Sequence, residues 1–199
     1  MSGGRAAPAT GTSTVRVVAL GDSLTAGLGL DPDEAYPSLL QARLRSAGST
    51  AEVINAGVSG DTSAGGLRRL DWSLDGGARV LIVALGGNDG LRGLAPAELR
   101  RNLGAIIERA QARHVTVILA GMEAPPNFGR VYTADFRQVY RDLAATYRVA
   151  FLPFLLDGVA GIVSLNQGDG IHPNATGARK VAENLWPLVE RAVKDTQTP

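Results

Sequence analysis

Five short runs rich in β-branched and aliphatic residues punctuate this chain, and longer stretches with helical spacing separate them. Val15–Leu20 (VRVVAL), Ala51–Asn55 (AEVIN), Val80–Leu85 (VLIVAL), Val115–Ala120 (VTVILA) and Val149–Leu152 (VAFL) read as buried strands. Tyr36–Ala47, Ser63–Ser73, Pro96–Arg113, Tyr132–Tyr147 and Thr176–Lys194 read as helices. Pro96 suits the first turn of its helix, where its missing N–H is not needed, and Glu98 lies near the positive end of the dipole. Such alternation implies a parallel sheet with helices on both faces. Right-handed crossovers then favour an α/β fold of flavodoxin-like type: a five-stranded parallel sheet in a three-layer α/β/α sandwich. Residues 14–195 are expected to form one domain, a size that can bury a substantial core.

Composition excludes several function classes. The net charge is +1, from 20 Lys plus Arg against 19 Asp plus Glu, with no basic cluster, so neither nucleic acid nor an anionic membrane is an expected partner. The chain has no cysteine, which removes disulfides, thiolate catalysis and cysteine metal sites. No apolar run approaches the roughly 18 residues that span a bilayer, so stable membrane insertion is not expected. Residues 1–13 (MSGGRAAPATGTS) are small and polar, lack the apolar centre of an export signal, and are expected to form a disordered leader.

In a sheet of this kind, ligands bind beyond the carboxyl ends of the strands. Gly21-Asp22-Ser23-Leu24 follows the first strand, and Asn55-Ala56-Gly57-Val58-Ser59-Gly60-Asp61 closes the second. Gly86-Gly87-Asn88-Asp89-Gly90 follows the third, and the long aperiodic stretch Pro153–Pro173 ends in Asp169-Gly170-Ile171-His172-Pro173. Small, polar and reactive residues therefore gather at one edge.

A serine hydroxyl attacks a carbonyl only when a base takes its proton and a third group orients that base. The chain has two histidines. His114 opens a strand at the opposite, amino end and reads as structural. His172 follows Asp169 by three residues, so one turn of chain can bring carboxylate and imidazole together. Taken alone, that spacing equally suits a turn or helix cap, and Ser23 equally suits a cap. The Gly60 N–H, the Asn88 amide and the Ser23 N–H are candidate donors to an oxyanion, although Gly60 and Asn88 also suit turns. Asp22, Asp61 and Asp89 could in principle form a carboxylate cation site. The scheme requires no metal and no cofactor.

GDSLTAG (21–27), NAGVSGDTSAGG (55–66), LGGNDGLRG (85–93) and DGIHPN (169–174) occur in that order and span most of the chain. Together they resemble the GDSL lipase/esterase family, the SGNH hydrolases. GGNDGLRG, PPNFGRVY (125–132) and LPF (152–154) are similar to its thioesterase I/lysophospholipase L1/arylesterase branch. The resemblance implies the SGNH hydrolase fold, with Ser23 as nucleophile, His172 as general base and acid, and Asp169 as the orienting carboxylate. It also implies an oxyanion hole from Ser23, Gly60 and Asn88, and the family-like positions of Asp22, Asp61 and Asp89 favour hydrogen-bonded support of the loops over a cation site. The implied substrates are small-molecule acyl esters and thioesters: short- to medium-chain fatty esters, aryl esters, acyl-CoA and lysophospholipids. Branch members are often exported, whereas the leader here reads otherwise, which leaves both compartments open.

Leu24, Leu91, Leu94, Phe128 and Ile171 are candidate apolar contacts for the acyl group, and Pro125 belongs to the segment matched to a substrate-lining loop, Gly121–Pro126. These residues favour acyl chains over the rival reading, an acetyl-sugar deacetylase with the same triad, which would need a polar cleft.

Overall fold

A computed structural model describes residues 14–197; the expected leader lies outside them. Five parallel strands, β1 (Arg16–Gly21), β2 (Glu52–Gly57), β3 (Ala78–Ala84), β4 (Thr116–Ala120) and β5 (Ala150–Leu152), form one sheet in the order β2-β1-β3-β4-β5. The chain runs outward from β1 to β2 and then returns across β1 to β3, so the order reverses beside β1. In such sheets that switch point opens a crevice at the carboxyl ends. Gly21 stands opposite both Gly57 and Ala84, so three strand exits end level with one another.

The central strands β1, β3 and β4 are buried, as their near-continuous apolar runs demand. β2 and β5 are only half-buried, contrary to the expectation of five buried strands. They are the two edges of the sheet, with a neighbour on one side only.

The helices α2 (Tyr36–Ser46) and α8 (Ala175–Gln197) pack together on one face, burying Leu40, Leu44, Leu185 and Val189. α6 (Pro96–Ala112) and α7 (Arg130–Tyr147) pack together on the other, burying Leu99, Leu103, Ile106, Phe136 and Tyr140. Truncating one such side chain to Ala costs about 2–5 kcal/mol. Asn174 caps α8, its side-chain oxygen accepting the N–H groups of Thr176 and Gly177. The helix expected over Ser63–Ser73 is instead two, α3 (Ser63–Arg68) and α4 (Leu70–Leu74), broken at Arg69. There the side chain turns back to bond strand-end carbonyls. Among the described residues no helix is long and apolar enough to cross a membrane.

Candidate active site

Two short helices shape the crevice, α1 (Ser23–Ala26) after β1 and α5 (Gly87–Leu91) after β3. Asp22 caps α1 by accepting the Leu24 N–H at 3.0 Å, which turns the chain so that Ser23 begins the helix. Behind it, Thr25 and Tyr36 share a buried hydroxyl–hydroxyl bond of 2.8 Å. Gly57 lets β2 approach this turn, because a Cβ there would overlap the Ala26 backbone nitrogen.

Ser23 Oγ lies 2.9 Å from His172 Nε2, and His172 Nδ1 lies 2.6 Å from Asp169 Oδ2. A carboxylate at Nδ1 places the imidazole proton there and leaves Nε2 to accept the serine hydroxyl. The second carboxylate oxygen of Asp169 accepts the backbone N–H groups of Ile171 and His172 at 2.9 and 3.0 Å. Asp169 is thus both turn former and imidazole partner, the two alternatives that its spacing left open. These N–H groups and the imidazole hold its carboxyl well below the usual carboxylate range. Gln167 fastens the loop, donating from Nε2 to the carbonyls of Leu28 (2.7 Å) and Pro173 (2.9 Å).

Gly60 adopts a left-handed backbone (φ 82°), and its carbonyl accepts from Arg92 at 2.9 Å. The Asn88 amide donates to the Asp61 carbonyl at 2.9 Å and to Asp22 Oδ2 at 3.3 Å. Asp89 accepts the Ser63 N–H and hydroxyl at 2.8 and 2.5 Å, and Asn102 donates to that hydroxyl at 3.0 Å. Asp61 accepts from Arg69 Nε at 2.6 Å. All three aspartates therefore bind N–H or O–H donors within the loops. Burial raises the Asp22 carboxyl from 3.8 to about 6, against the opposing pull of the Leu24 N–H and the Asn88 amide.

Ser23, Gly60, Asn88 and His172 line one cleft of about 750 Å³. Its walls are largely apolar, and Leu24, Leu91, Pro125 and Ile171 are among them. Leu94 and Phe128 are not. The Phe128 ring packs on Tyr132 at 5.3 Å, and the Leu94 carbonyl accepts the Tyr132 hydroxyl at 2.7 Å, so α7 draws both away. Sequence reasoning missed Leu28, Phe154, Leu156 and Ala160 in the walls. Met122, two residues past the end of β4, lies in the expected loop segment Gly121–Pro126, whereas Phe154, Leu156 and Ala160 lie in the stretch without period. His114 sits in a left-handed turn (φ 58°) ahead of β4, at the opposite end of the sheet.

Residues 19–180 match the model of the GDSL-like lipase/acylhydrolase family. The chain belongs to that family. It is 43% identical over 175 residues to the esterase TesA of Pseudomonas aeruginosa, covering 87% of each chain. It is 39% identical over 175 residues to the thioesterase 1/protease 1/lysophospholipase L1 of Escherichia coli K12, covering 85% of this chain and 83% of that one. A crystal structure of TesA superposes with a TM-score of 0.86 at 43% identity, covering 89% of this chain and 99% of that one. The resemblance carried by the four motifs is thereby established, and the chain is an ester hydrolase with the α/β fold of its family.

Proposed function

We propose that this family member hydrolyses carboxylic esters and thioesters through an acyl-enzyme on Ser23. The observation that carries the reading is the unbroken relay from Asp169 through His172 to Ser23, at 2.6 and 2.9 Å, opening into an apolar cleft. His172 Nε2 takes the Ser23 proton as Oγ bonds to the acyl carbon, and the carbonyl π pair moves onto oxygen. Asp169 stabilises the imidazolium. The oxyanion is held by the N–H groups of Ser23 and Gly60 and by the Asn88 amide. That amide is already engaged, and its longer bond, to Asp22, is the one the oxyanion replaces. When the tetrahedral adduct collapses, the bond to the leaving oxygen or sulfur breaks and His172 returns the proton to it. Water, deprotonated by the same imidazole, then attacks the acyl-serine and releases the acid.

The cleft supports a fatty or aryl acyl group, because its volume falls within the range of small-molecule sites and aliphatic walls favour an apolar substrate. Such walls disfavour the acetyl-sugar deacetylase reading, whose substrate carries a dense polar surface needing hydrogen-bond partners. p-Nitrophenyl esters of increasing chain length, assayed beside acyl-CoAs of the same lengths, test the substrate class. Turnover that rises from acetyl to medium-chain acyl is expected; turnover confined to acetyl would overturn it. Ser23→Ala is expected to abolish both turnover and labelling by a fluorophosphonate, and persistent labelling would remove Ser23 as nucleophile.

A further inference from the structure

Arg69 sits at the break between α3 and α4 and turns its side chain under the crevice. Its guanidinium donates from Nε to Asp61 Oδ2 at 2.6 Å, from Nη1 to the Ala56 carbonyl at 2.6 Å and from Nη2 to the Gly21 carbonyl at 2.8 Å. The two carbonyls lie at the ends of β2 and β1. Gly21 precedes Ser23 by two residues, and Asp61 follows Gly60 directly. The Asp61 carbonyl in turn accepts the Asn88 amide at 2.9 Å. One cation therefore braces the nucleophile turn and the Gly60 loop directly, and reaches Asn88 through Asp61.

Joining β1 to β2 does not need this residue, because the two strands already pair along six positions. What the fork adds is a fixed angle between a charged partner and two backbone acceptors, which a lysine ammonium on a flexible stem does not reproduce. Arg69 does not line the cleft, so it does not meet the acyl group.

We propose that Arg69 is a positioning residue for the oxyanion hole, setting the Gly60 and Asn88 donors at their distance from Ser23. This rests on the roles proposed above for those three residues. Oxyanion donors act only when held about 2.7–3.1 Å from the developing charge. A misplacement of about 1 Å can cost on the order of 10²-fold in rate. Ground-state binding by the apolar walls is unaffected by such a shift. Losing Arg69 therefore lowers kcat and leaves KM in place.

The test compares wild type with Arg69→Lys on p-nitrophenyl butyrate, with rates expressed per site titrated by a fluorophosphonate so that misfolded protein is not counted. The expected result is a kcat lower by about 30- to 100-fold, with KM within about threefold. Chemical rescue supplies a second readout: methylguanidinium is expected to raise kcat of Arg69→Ala and to leave Arg69→Lys unchanged. A kcat per titrated site within about threefold of wild type, or a loss carried by KM, overturns the proposal. If neither Arg69 variant folds, Asp61→Asn decides. It keeps the carbonyl that Asn88 uses and weakens the guanidinium contact, so a several-fold fall in kcat is expected and an unchanged kcat overturns the proposal. Wild-type protein that takes up no probe at Ser23 would instead refute the catalytic assignment itself, and this inference with it.

Discussion

The crevice is built from two halves of opposite character. On one side the strand exits carry Ser23 on α1, Asn88 on α5 and Gly60 on an exposed loop, braced from beneath by buried polar groups, with Asp22 and Asp89 only 2% and 1% exposed. On the other, His172 and Asp169 ride the end of a long loop, where the Asp169 side chain is 46% exposed. In the mechanism proposed above this braced half, buried beneath the crevice, supplies backbone and amide dipoles, and such donors act only when held at fixed distances. In the same mechanism the exposed half supplies the proton carrier, whose orientation one carboxylate can set locally. Activity and stability should therefore separate on one side and travel together on the other.

The largest expected effect is His172→Ala. Removing a triad member leaves only the oxyanion hole and binding, a loss of about 10⁴-fold or more in kcat/KM. The His172 imidazole rides a loop and bonds only Asp169 and Ser23, so urea unfolding should fall by no more than about 1.5 kcal/mol. A large loss of stability in this variant would break the contrast at its clearest point. Asn88→Ala comes next, with kcat lower by about 10²–10³-fold. It also strips the Asp22 carboxyl of the amide and the Asp61 carbonyl of its donor. A stability loss of about 1–3 kcal/mol should accompany it.

The halves also respond to pH in opposite directions. Asp22 titrates at about 6 in the folded chain against 3.8 when exposed, so the folded state holds its proton more tightly. The stability this confers is complete below pH 3.8 and is lost as pH rises through 6. At about 1.4 kcal/mol per unit the fall is at most about 3 kcal/mol. Asp169 has its pKa depressed, so its contribution is present above 3.8 and is lost only as pH falls below that value. Urea midpoints measured from pH 4 to 7 should decline for wild type and flatten for Asp22→Asn. A wild-type curve without that decline would mean that the buried half carries no such load.

Legibility in the sequence divides along the same line. Ser23, Gly60, Asn88 and His172 could be placed because strand runs announce their own ends, and a parallel sheet gathers the strand-exit residues at one edge. Leu94 and Phe128 read as acyl contacts from residue type alone, yet neither lines the cleft: the Phe128 ring packs on Tyr132, whose hydroxyl bonds the Leu94 carbonyl. In sequence Arg69 is one more residue of a helical stretch, since nothing local reports that positions 21, 56 and 61 converge on its guanidinium. β2 read as buried because residue type reports burial propensity, whereas its place at the sheet edge is a property of strand order.

The smallest predicted effect tests whether the halves are coupled. Gln167 lies five residues before His172 and donates to the Pro173 carbonyl within its own loop, while the same amide nitrogen reaches the Leu28 carbonyl beyond the nucleophile helix. In Gln167→Ala both bonds go, at a cost of about 0.5–1.5 kcal/mol each if no water replaces them. Asp169 still orients the imidazole, so the proton relay survives and only its distance to Ser23 loosens. A fall in kcat of about three- to tenfold with KM little changed is therefore expected, well below that of Asn88→Ala. Combined with Asn88→Ala, it distinguishes two arrangements: additive losses in log kcat mean that each half is set independently, whereas a double variant no worse than Asn88→Ala alone means that Gln167 acts by aligning the serine with its oxyanion donors.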